Sequence, residues 1–406
     1  MQEKAKEPEI RFAGFTGAWE QRKIGDYLTL SKIPGHTGVD AKKLTVKLWG
    51  KGVVEKTDIY GGSQNTQYYV RRAGQFMYGK LDFLHAAFGI VPKSLDRFES
   101  TLDSPAFDLH EIDGAFLQNR VTQQNFYLKF GNIANGSRKA KRIHEVTFLD
   151  MPIVVPSYAE QKKIGAFLNK LDSLLTLHQR KYEKLLNIKK SMLEKMFPKE
   201  GEVVPEIRFK GFTGAWEQRK LSDIAERITR KNTHLESTLP LTISSSYGLI
   251  DQYAYFNNRV ASRNTRNYYL IKNGEFAYNK SYSDGFPFGS VKRLDRYAMG
   301  VLSTLYIIFS IDYRKVNSDF LVSYYDTKNW HHQVALRAAE GARNHGLLNI
   351  SADDFFETEL KIPMNLDEQK KIGSFFDQLN SFITLHQRKL EMLKNVKQAF
   401  LEKMFV

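Results

Sequence analysis

Two segments of the chain carry apolar residues at a regular spacing that predicts long helices. In both segments the apolar positions follow one another at intervals that alternate between four and three residues. The first stripe is Ile164, Leu168, Leu171, Leu175, His178, Tyr182 and Leu185, and the second is Ile372, Phe376, Leu379, Ile383, His386, Leu390 and Leu393. A period of about 3.5 residues is typical of a coiled coil. We therefore predict two long helices. Each is the other's only partner of equal length and pattern in the chain, so we expect an antiparallel pair, with a helix of a partner protein as the open alternative.

The sequences around these stripes occur twice. Residues 8–23 recur as 205–220 with fifteen of sixteen residues identical. Residues 160–181 recur as 368–389 with fifteen of twenty-two identical, and residues 193–197 recur unchanged as 401–405. A repeat distance near 200 residues is too long for a solenoid unit, so it indicates a duplicated domain. The stretches between the repeats, 24–159 and 221–367, mostly differ from each other. This arrangement predicts one scaffold built twice around two unlike modules.

The two unlike modules are rich in short β-prone runs. Val, Ile, Tyr, Phe and Thr cluster between Gly, Asn, Asp and Ser, as expected for strands and turns. The expected strands include Val146–Val155, Leu239–Ser244, Tyr268–Ile271, Glu275–Tyr278 and Val301–Phe309, and short helices are expected near 319–328 and 330–339. Trp19 and Trp216, in the repeated frame, are expected to be buried in the cores.

These patterns predict an α+β protein with pseudo-twofold duplication. Two globular mixed α/β domains, each beginning with a repeated frame, are separated by the two antiparallel coiled-coil helices. The expected boundaries are 1–158 for the first domain, 159–198 for the first helix, 199–366 for the second domain and 367–406 for the second helix.

Charge points to a polyanionic partner. The net charge is +15 and the pI is about 9.5, which favours DNA or RNA over a merely basic protein. The chain has no cysteine, which excludes disulfides and thiolate metal sites and fits a reducing compartment. No signal peptide or membrane-spanning stretch is evident, so we expect a cytoplasmic protein.

Catalytic motifs are absent from the sequence. It contains no P-loop and no Asp/Asn-Pro-Pro-aromatic motif of the kind that amino-methyltransferases use. Asp354, Glu359 and Lys361 are a weak match to a nuclease triplet, but the first half has no equivalent. These observations favour a protein that binds nucleic acid and performs no catalysis. Two alternatives stay open: a nuclease or methyltransferase with unrecognised motifs, and a coiled-coil scaffold that binds no nucleic acid.

Basic, aromatic and amide side chains in the modules are candidate DNA contacts. Arg can bind guanine in a bidentate manner, Asn can bind adenine, and Lys, Arg and Tyr can hold phosphates. The candidates are Arg71, Arg72, Tyr78, Lys80, Arg138, Lys139, Arg142, Arg263, Arg266, Tyr278, Asn279, Lys280, Arg343 and Asn344.

The layout resembles the specificity (S) subunit of type I restriction–modification enzymes. The resemblance covers essentially the whole chain. It rests on the IRFxGFTGAWEQRK opening of each half, the EQKKIG start and LHQRK…LEKMF end of each helix, and the YY…GxFxYxK template shared by the modules. One departure is that residues 81–88 are apolar (LDFLHAAF) where residues 281–288 read SYSDGFPF.

The resemblance implies a role in DNA recognition without catalysis. Each module would recognise one half of a bipartite sequence in double-stranded DNA, and the helices would set the spacing between the halves. The subunit would bind two methyltransferase (M) subunits, and the full complex would add restriction/translocase (R) subunits. S-adenosylmethionine, ATP and Mg²⁺ would then belong to those partners, with no cofactor in this chain and no membrane association.

Overall fold

The computed structural model describes residues 7–38, 40–57, 64–132, 142–244, 248–257, 261–262, 264–281, 286–338 and 348–406. The chain forms two compact units. Unit 1 comprises Met1–Arg180 and Gln387–Val406, and unit 2 comprises Lys181–His386. Each unit therefore contains one segment of each of the two long helices.

Unit 1 contains a mixed α/β module. Its strands are β1 Glu20–Lys23, β2 Leu28–Ser31, β3 Ile33–Thr37, β4 Leu44–Val46, β5 Val53–Glu55, β6 Gln67–Val70, β7 Phe76–Tyr78, β8 Phe88–Ile90, β9 Glu99–Ser100, β10 Ala106–Leu109 and β11 Pro152–Val155. Its helices are α1 Gly114–Val121, α2 Gln124–Gly131, α3 Glu145–Leu149 and the first part of α4 Tyr158–Lys195. The strands form antiparallel sheets with the orders β2-β10-β7-β8, β3-β6-β9, β4-β5 and β1-β11.

Unit 2 contains the second module. Its strands are β12 Glu217–Lys220, β13 Ala225–Ile228, β14 Leu241–Ser244, β15 Gly248–Asp251, β16 Tyr269–Lys272, β17 Phe276–Asn279, β18 Ser290–Arg293, β19 Met299–Leu302, β20 Ile307–Ile311 and β21 Glu359–Ile362. Its helices are α5 Leu221–Ile224, α6 Gln252–Phe256, α7 Ser318–Tyr325, α8 His331–Arg337, α9 Ala352–Phe356 and the first part of α10 Leu366–Lys403. The sheet orders are β13-β20-β17-β18, β14-β15, β16-β19 and β12-β21.

The repeated frame of each half pairs with the strand that precedes the long helix. In unit 1 the EQRK strand β1 lies antiparallel to β11, with Glu20 opposite Val155. In unit 2 β12 pairs in the same way with β21, with Glu217 opposite Ile362. The frame is therefore folded onto the start of the helix even though the module lies between them in sequence.

A buried ion pair joins each frame to the first turn of its long helix. In unit 1 the Arg11 guanidinium donates from Nε and Nη2 to the two Glu160 carboxylate oxygens, at 2.7 and 2.8 Å. In unit 2 Arg208 makes the same bidentate contact with Glu368, at 2.6 and 2.7 Å. Both glutamate side chains are only 1% exposed, so their charges depend on the arginine partners. The IRF and EQKKIG motifs are thus two halves of one structural contact.

The long-helix segments within unit 1 run in opposite directions. Phe167 of α4 contacts Phe400 of α10, with ring centroids 4.8 Å apart, and Lys397 donates to Asp172 at 2.5 Å. Because the later residue on α4 meets the earlier residue on α10, the two segments are antiparallel in this unit. Their apolar sides join the core of the module.

Aromatic side chains from both ends of the sequence repeat fill each core. In unit 1 Trp19 packs against Phe116 and Phe405, with ring centroids 5.8 and 6.2 Å apart. In unit 2 Phe197 packs against Trp216 at 5.8 Å. Trp19 and Trp216 are each 3% exposed, which confirms the prediction that both are core residues.

A glycine in each long helix allows a close approach to the neighbouring helix of the module. A Cβ added at Gly373 would lie 2.5 Å from the Phe320 backbone nitrogen at the start of α7. At the equivalent Gly165 it would contact the Asp113 carboxylate, which caps α1 by accepting from the Phe116 backbone N–H at 2.9 Å. The glycines therefore permit contact between helices rather than an unusual backbone angle.

We expect Gly373→Ala to destabilise unit 2 by about 1–3 kcal/mol, since the added methyl group would clash with backbone that cannot move independently. Hydrogen-exchange mass spectrometry should show lost protection in α7 and the adjoining part of α10. Ser374→Ala is the matched control, because Ser374 is exposed, and it should change stability by no more than about 0.5 kcal/mol. Unchanged protection in Gly373→Ala would contradict the close packing.

The sequence-based prediction of elements is confirmed in outline and corrected in detail. The mixed α/β class and both long helices are confirmed. The region Val146–Val155, predicted as strand, instead contains α3 before β11. The run Val301–Phe309, predicted as one strand, is divided between β19 and β20 by a turn. In both cases the backbone changes direction within an apolar run, and the apolar composition of the run does not indicate where this happens.

Candidate nucleic-acid interface

Five of the fourteen candidate DNA contacts lie outside the residues that the structure describes. They are Arg138, Lys139, Arg263, Arg343 and Asn344. The other nine belong to the described part of the two modules, and their surroundings divide them into interior and surface groups.

Tyr78 and Tyr278 are interior residues in their respective units. Each is fully buried, and its hydroxyl donates to a backbone carbonyl at 2.9 Å, that of Ile143 for Tyr78 and that of Phe288 for Tyr278. Burial raises the pKa of both phenols above the ordinary value. The Tyr278 ring also stacks on Phe355 at 4.4 Å. These two rings pack the cores and present no surface to a ligand.

Arg71 is likewise buried instead of lying on a basic face. Its Nε donates to the Ser100 hydroxyl at 2.7 Å and its Nη1 to the Ser31 carbonyl at 3.0 Å. Burial lowers the pKa of Arg71 to about 10. Its hydrogen bonds join the end of β6 to β9 and to β2, which belongs to another sheet, and this is a structural role.

Lys80 and Lys280 are both used to fasten the end of a strand. The Lys80 ammonium pairs with Glu145 at 2.8 Å, and both side chains are largely buried. The Lys280 ammonium donates to the Ile350 carbonyl at 3.1 Å. In unit 1 this contact joins the segment after β7 to α3, and in unit 2 it joins the segment after β17 to Ile350, just before α9. Both ammonium groups are therefore used within the module.

The remaining four candidates have surface positions. Arg72 and Arg266 are exposed, and the Arg266 Nη1 donates to the Thr233 carbonyl at 3.1 Å. Arg142 is exposed and faces Asp103 at 3.8 Å. Asn279 is half-buried, and its side-chain oxygen accepts from the Ser281 backbone N–H at 3.0 Å. These four side chains are placed where a ligand could reach them.

The structure adds surface groups in unit 2 that sequence reasoning missed. The Lys231 ammonium lies 3.9 Å from the centre of the Tyr269 ring and donates to the Asn267 carbonyl at 3.0 Å. Helix α6 presents Tyr253, Tyr255 and Phe256, each about half exposed. Clustered aromatic residues are normally expected in a core, so the exposure of these three side chains could not be predicted from the sequence.

Not every lysine of unit 2 is free for a polyanion. Asp326, at the end of α7, accepts from Lys189 at 2.8 Å and from Lys292 at 2.7 Å. Burial alone would raise the pKa of Asp326, but the charges of Lys292 and Lys189 outweigh it and lower the pKa to about 2. This cluster therefore fixes the module to the long-helix segment of unit 2 as a charged group at neutral pH.

No protein-family model matches the sequence. The structure is similar to the crystal structure of the type I restriction–modification system S subunit from M. genitalium, with 13% sequence identity over 98% of this chain and 99% of that chain and a TM-score of 0.62. The chain has the fold of a type I restriction–modification S subunit.

Two weaker similarities have TM-scores below 0.5. The HsdS subunit from Thermoanaerobacter tengcongensis is 12% identical over 95% of this chain and 96% of that chain, with a TM-score of 0.43. A chain from a structure on complex assembly and conformational transition of the type I R-M system is 12% identical, covering 95% and 97% of the two chains, with a TM-score of 0.42.

Within this S-subunit fold, the weak nuclease triplet has other partners. The Lys361 ammonium donates to the Glu202 carbonyl at 2.5 Å, and Glu359 accepts from the Gln218 amide. Asp354 accepts from the Ser351 hydroxyl at 2.6 Å. The residues described by the structure contain no group of three or more His, Asp or Glu side chains placed to hold a metal. Among the same residues, we find no helix with the length and apolar character of a membrane span.

Proposed function

We propose that this chain is the sequence-specific DNA-binding subunit of a type I restriction–modification complex. The observation that carries the proposal is the S-subunit fold, which extends over 98% of the chain at a TM-score of 0.62. The net charge of +15 supports a polyanionic ligand. The nearly identical frames around unlike modules support two separate recognition surfaces on one kind of scaffold.

In this proposal, each module recognises one half of a bipartite site in double-stranded DNA and the chain performs no catalysis. Two M subunits would dock on it and supply S-adenosylmethionine-dependent adenine methylation. R subunits would add the ATP- and Mg²⁺-dependent activities of the full complex. The work would take place in the cytoplasm.

The surface candidates are proposed as part of the DNA interface. Arg72 and Arg142 would act in unit 1, and Arg266 and Asn279 in unit 2. Lys231 with Tyr269 extends the second set by an ammonium and an aromatic face. Phosphate contacts from such side chains fix the position of a protein on DNA, while amide and guanidinium groups can bind base edges.

Module replacement with methylation mapping tests the proposal. The chain is produced with its M subunit in a host that lacks other adenine methylation, and residues 221–367 are then replaced by the corresponding module of another S subunit. We expect one bipartite methylated sequence before replacement and a change in only one of its halves afterwards, because the unit 1 module is retained.

Other outcomes would favour the alternatives. A change in both halves would contradict independent recognition. Methylation or cleavage by the purified chain alone would favour an enzyme with unrecognised motifs. An absence of salt-dependent DNA binding, in the isolated chain and in its complex with M subunits, would favour a scaffold without nucleic acid.

We further propose that the long helices set the spacing between the half-sites. Seven residues inserted after Arg180 in α4 and after His386 in α10 keep the heptad pattern and add about 10.5 Å of helix, or roughly three base pairs of B-DNA. Methylation mapping should then give an enlarged spacer with both half-sites unchanged. Three-residue insertions at the same points are the control, since they move the stripe out of phase and should abolish methylation. An unaltered spacer after the heptad insertions would contradict the proposal.

A further inference from the structure

One loop of unit 1 holds a tryptophan outward on a rigid support. The Trp49 loop, residues 47–52, connects β4 to β5. The Trp49 backbone N–H donates to the His85 carbonyl at 2.7 Å, and the next N–H, that of Gly50, donates to the Ala86 carbonyl at 2.8 Å. The Gln118 amide donates to the Gly50 carbonyl at 3.2 Å. The loop is therefore fastened to two other parts of the module.

The backbone on both sides of this contact is in the left-handed region. Trp49 has a φ of 60° and Ala86 a φ of 48°. A positive φ is unfavourable for residues with a Cβ atom, and a bulky residue with such an angle is rare. The same loop has glycine at positions 50 and 52, where φ is also positive. Glycine would relieve the strain at position 49 as well, so an indole at this position indicates a use for the side chain.

The Trp49 indole is exposed, unlike the other tryptophans of the chain. Trp49 is 55% exposed, whereas Trp19, Trp216 and Trp330 are each 3% exposed. Its ring meets the His85 imidazole edge to face at 5.6 Å, and that imidazole is itself about half exposed. A large apolar surface is thus fixed in one orientation in contact with water.

Two exposed lysines flank Trp49 in the sequence of the Trp49 loop. They are Lys47 and Lys51, and neither has an ion-pair partner among the described residues. Residues 45–54 contain no Asp or Glu. The Asp82 carboxylate, in the segment that holds the loop, faces the His85 ring at 3.8 Å. The loop therefore matches an anionic partner.

We infer that the Trp49 loop is a DNA contact of unit 1, with the indole packed against the duplex and Lys47 and Lys51 on flanking phosphates. Apolar side chains between basic ones are used in this way along DNA backbones and minor grooves. A protein partner fits less well, because lysine is depleted from the centres of protein interfaces. The inference rests on the proposed function and assigns a contact to the module whose DNA-binding surface was least evident in sequence.

Fluorine NMR on the full chain tests the inference. Labelling with 5-fluorotryptophan gives signals from the four tryptophans, and Trp49→Phe identifies that of Trp49. Duplex DNA containing the mapped target is added to the labelled chain, alone and in complex with unlabelled M subunit. We expect the Trp49 signal to shift and to lose its solvent-isotope effect on DNA addition, while the three buried tryptophans respond less.

DNA affinity and its salt dependence give a second readout. Neither quantity would change in this way if the Trp49 loop had a purely structural role. Trp49→Ala should weaken DNA binding about tenfold, comparable to the loss of one aromatic contact to nucleic acid. Lys47→Met and Lys51→Met should each lower the slope of log K against log salt by about 0.9, as expected for one lost phosphate contact. Leu305→Ala, at an exposed apolar residue of unit 2, is the control and should leave affinity and slope unchanged.

The outcomes separate this inference from the proposed function. DNA binding with an unaltered Trp49 signal would overturn the inference and leave the proposed function standing. Protection of Trp49 by M subunit in the absence of DNA would also overturn it, by making the loop a protein-docking surface. Absence of DNA binding by the chain and by its complex with M subunits would overturn both.

Discussion

Arg208→Met should destabilise unit 2 by about 3–5 kcal/mol, because it leaves the buried Glu368 carboxylate without its partner. Arg208 satisfies both oxygens of that carboxylate and also donates to the Gly214 carbonyl at 2.6 Å. Urea unfolding should show the loss, and hydrogen exchange should place it in unit 2 rather than unit 1. Since unit 2 holds one of the two modules, we also expect methylation of the proposed bipartite site to fall steeply.

A second substitution identifies the cause of this effect. If the unpaired charge is responsible, Arg208→Met combined with Glu368→Met should be more stable than Arg208→Met alone, because the double variant buries no charge. Arg219→Met is the matched control within the same frame. Arg219 pairs with Glu217 at the surface, so its loss should cost about 1 kcal/mol or less. A double variant that is less stable than Arg208→Met would contradict the explanation.

Phe197→Ala should cost about 3–5 kcal/mol of stability in unit 2, since it removes a fully buried ring and leaves a cavity. The ring contacts Trp216, Phe320 and Phe376, with centroids 5.8, 5.6 and 6.0 Å away. It therefore joins the frame, the module and the long helix of the unit. Urea unfolding should show the loss, and Trp216 fluorescence should report loosened packing.

Phe382→Ala is the control for this substitution. Phe382 lies in the unit 2 segment of α10 but is 54% exposed, so its removal should change stability by no more than about 0.5 kcal/mol. Equal losses in the two variants would contradict the specific contribution of the buried Phe197 ring to the unit 2 core.

The long helices could be predicted from sequence because their signal is local and repetitive. A stripe sustained over several heptads leaves few alternatives, and both predicted stripes lie within the observed helices α4 and α10. The buried position of Trp19 and Trp216 was predicted on a different ground, since aromatic residues in the repeated frame indicate a folded core segment. The predicted domain boundaries and the DNA contacts stay predictions.

The surroundings of individual side chains could not be predicted, because they depend on residues far away in sequence. Arg71 and Arg72 are adjacent and chemically identical, yet one is buried by Ser31 and Ser100 while the other is exposed. The left-handed backbone of Trp49 is equally invisible, since the sequence around it gives no reason to expect an exposed ring. The Arg208–Glu368 contact joins residues 160 positions apart. Nothing in the sequence indicates that the IRF and EQKKIG motifs contact each other.

The composition of the unit 1 core has a consequence for how the chain is made on the ribosome. Trp19 and Phe116 precede unit 2 in the sequence, but Phe405, which packs against both, is synthesised only after unit 2. At typical rates of about 5–20 residues per second, roughly 10–40 s pass between the first and second segments of unit 1. Throughout that time the first module lacks the residues that complete its apolar core, so we expect chaperones to bind it while unit 2 is being synthesised.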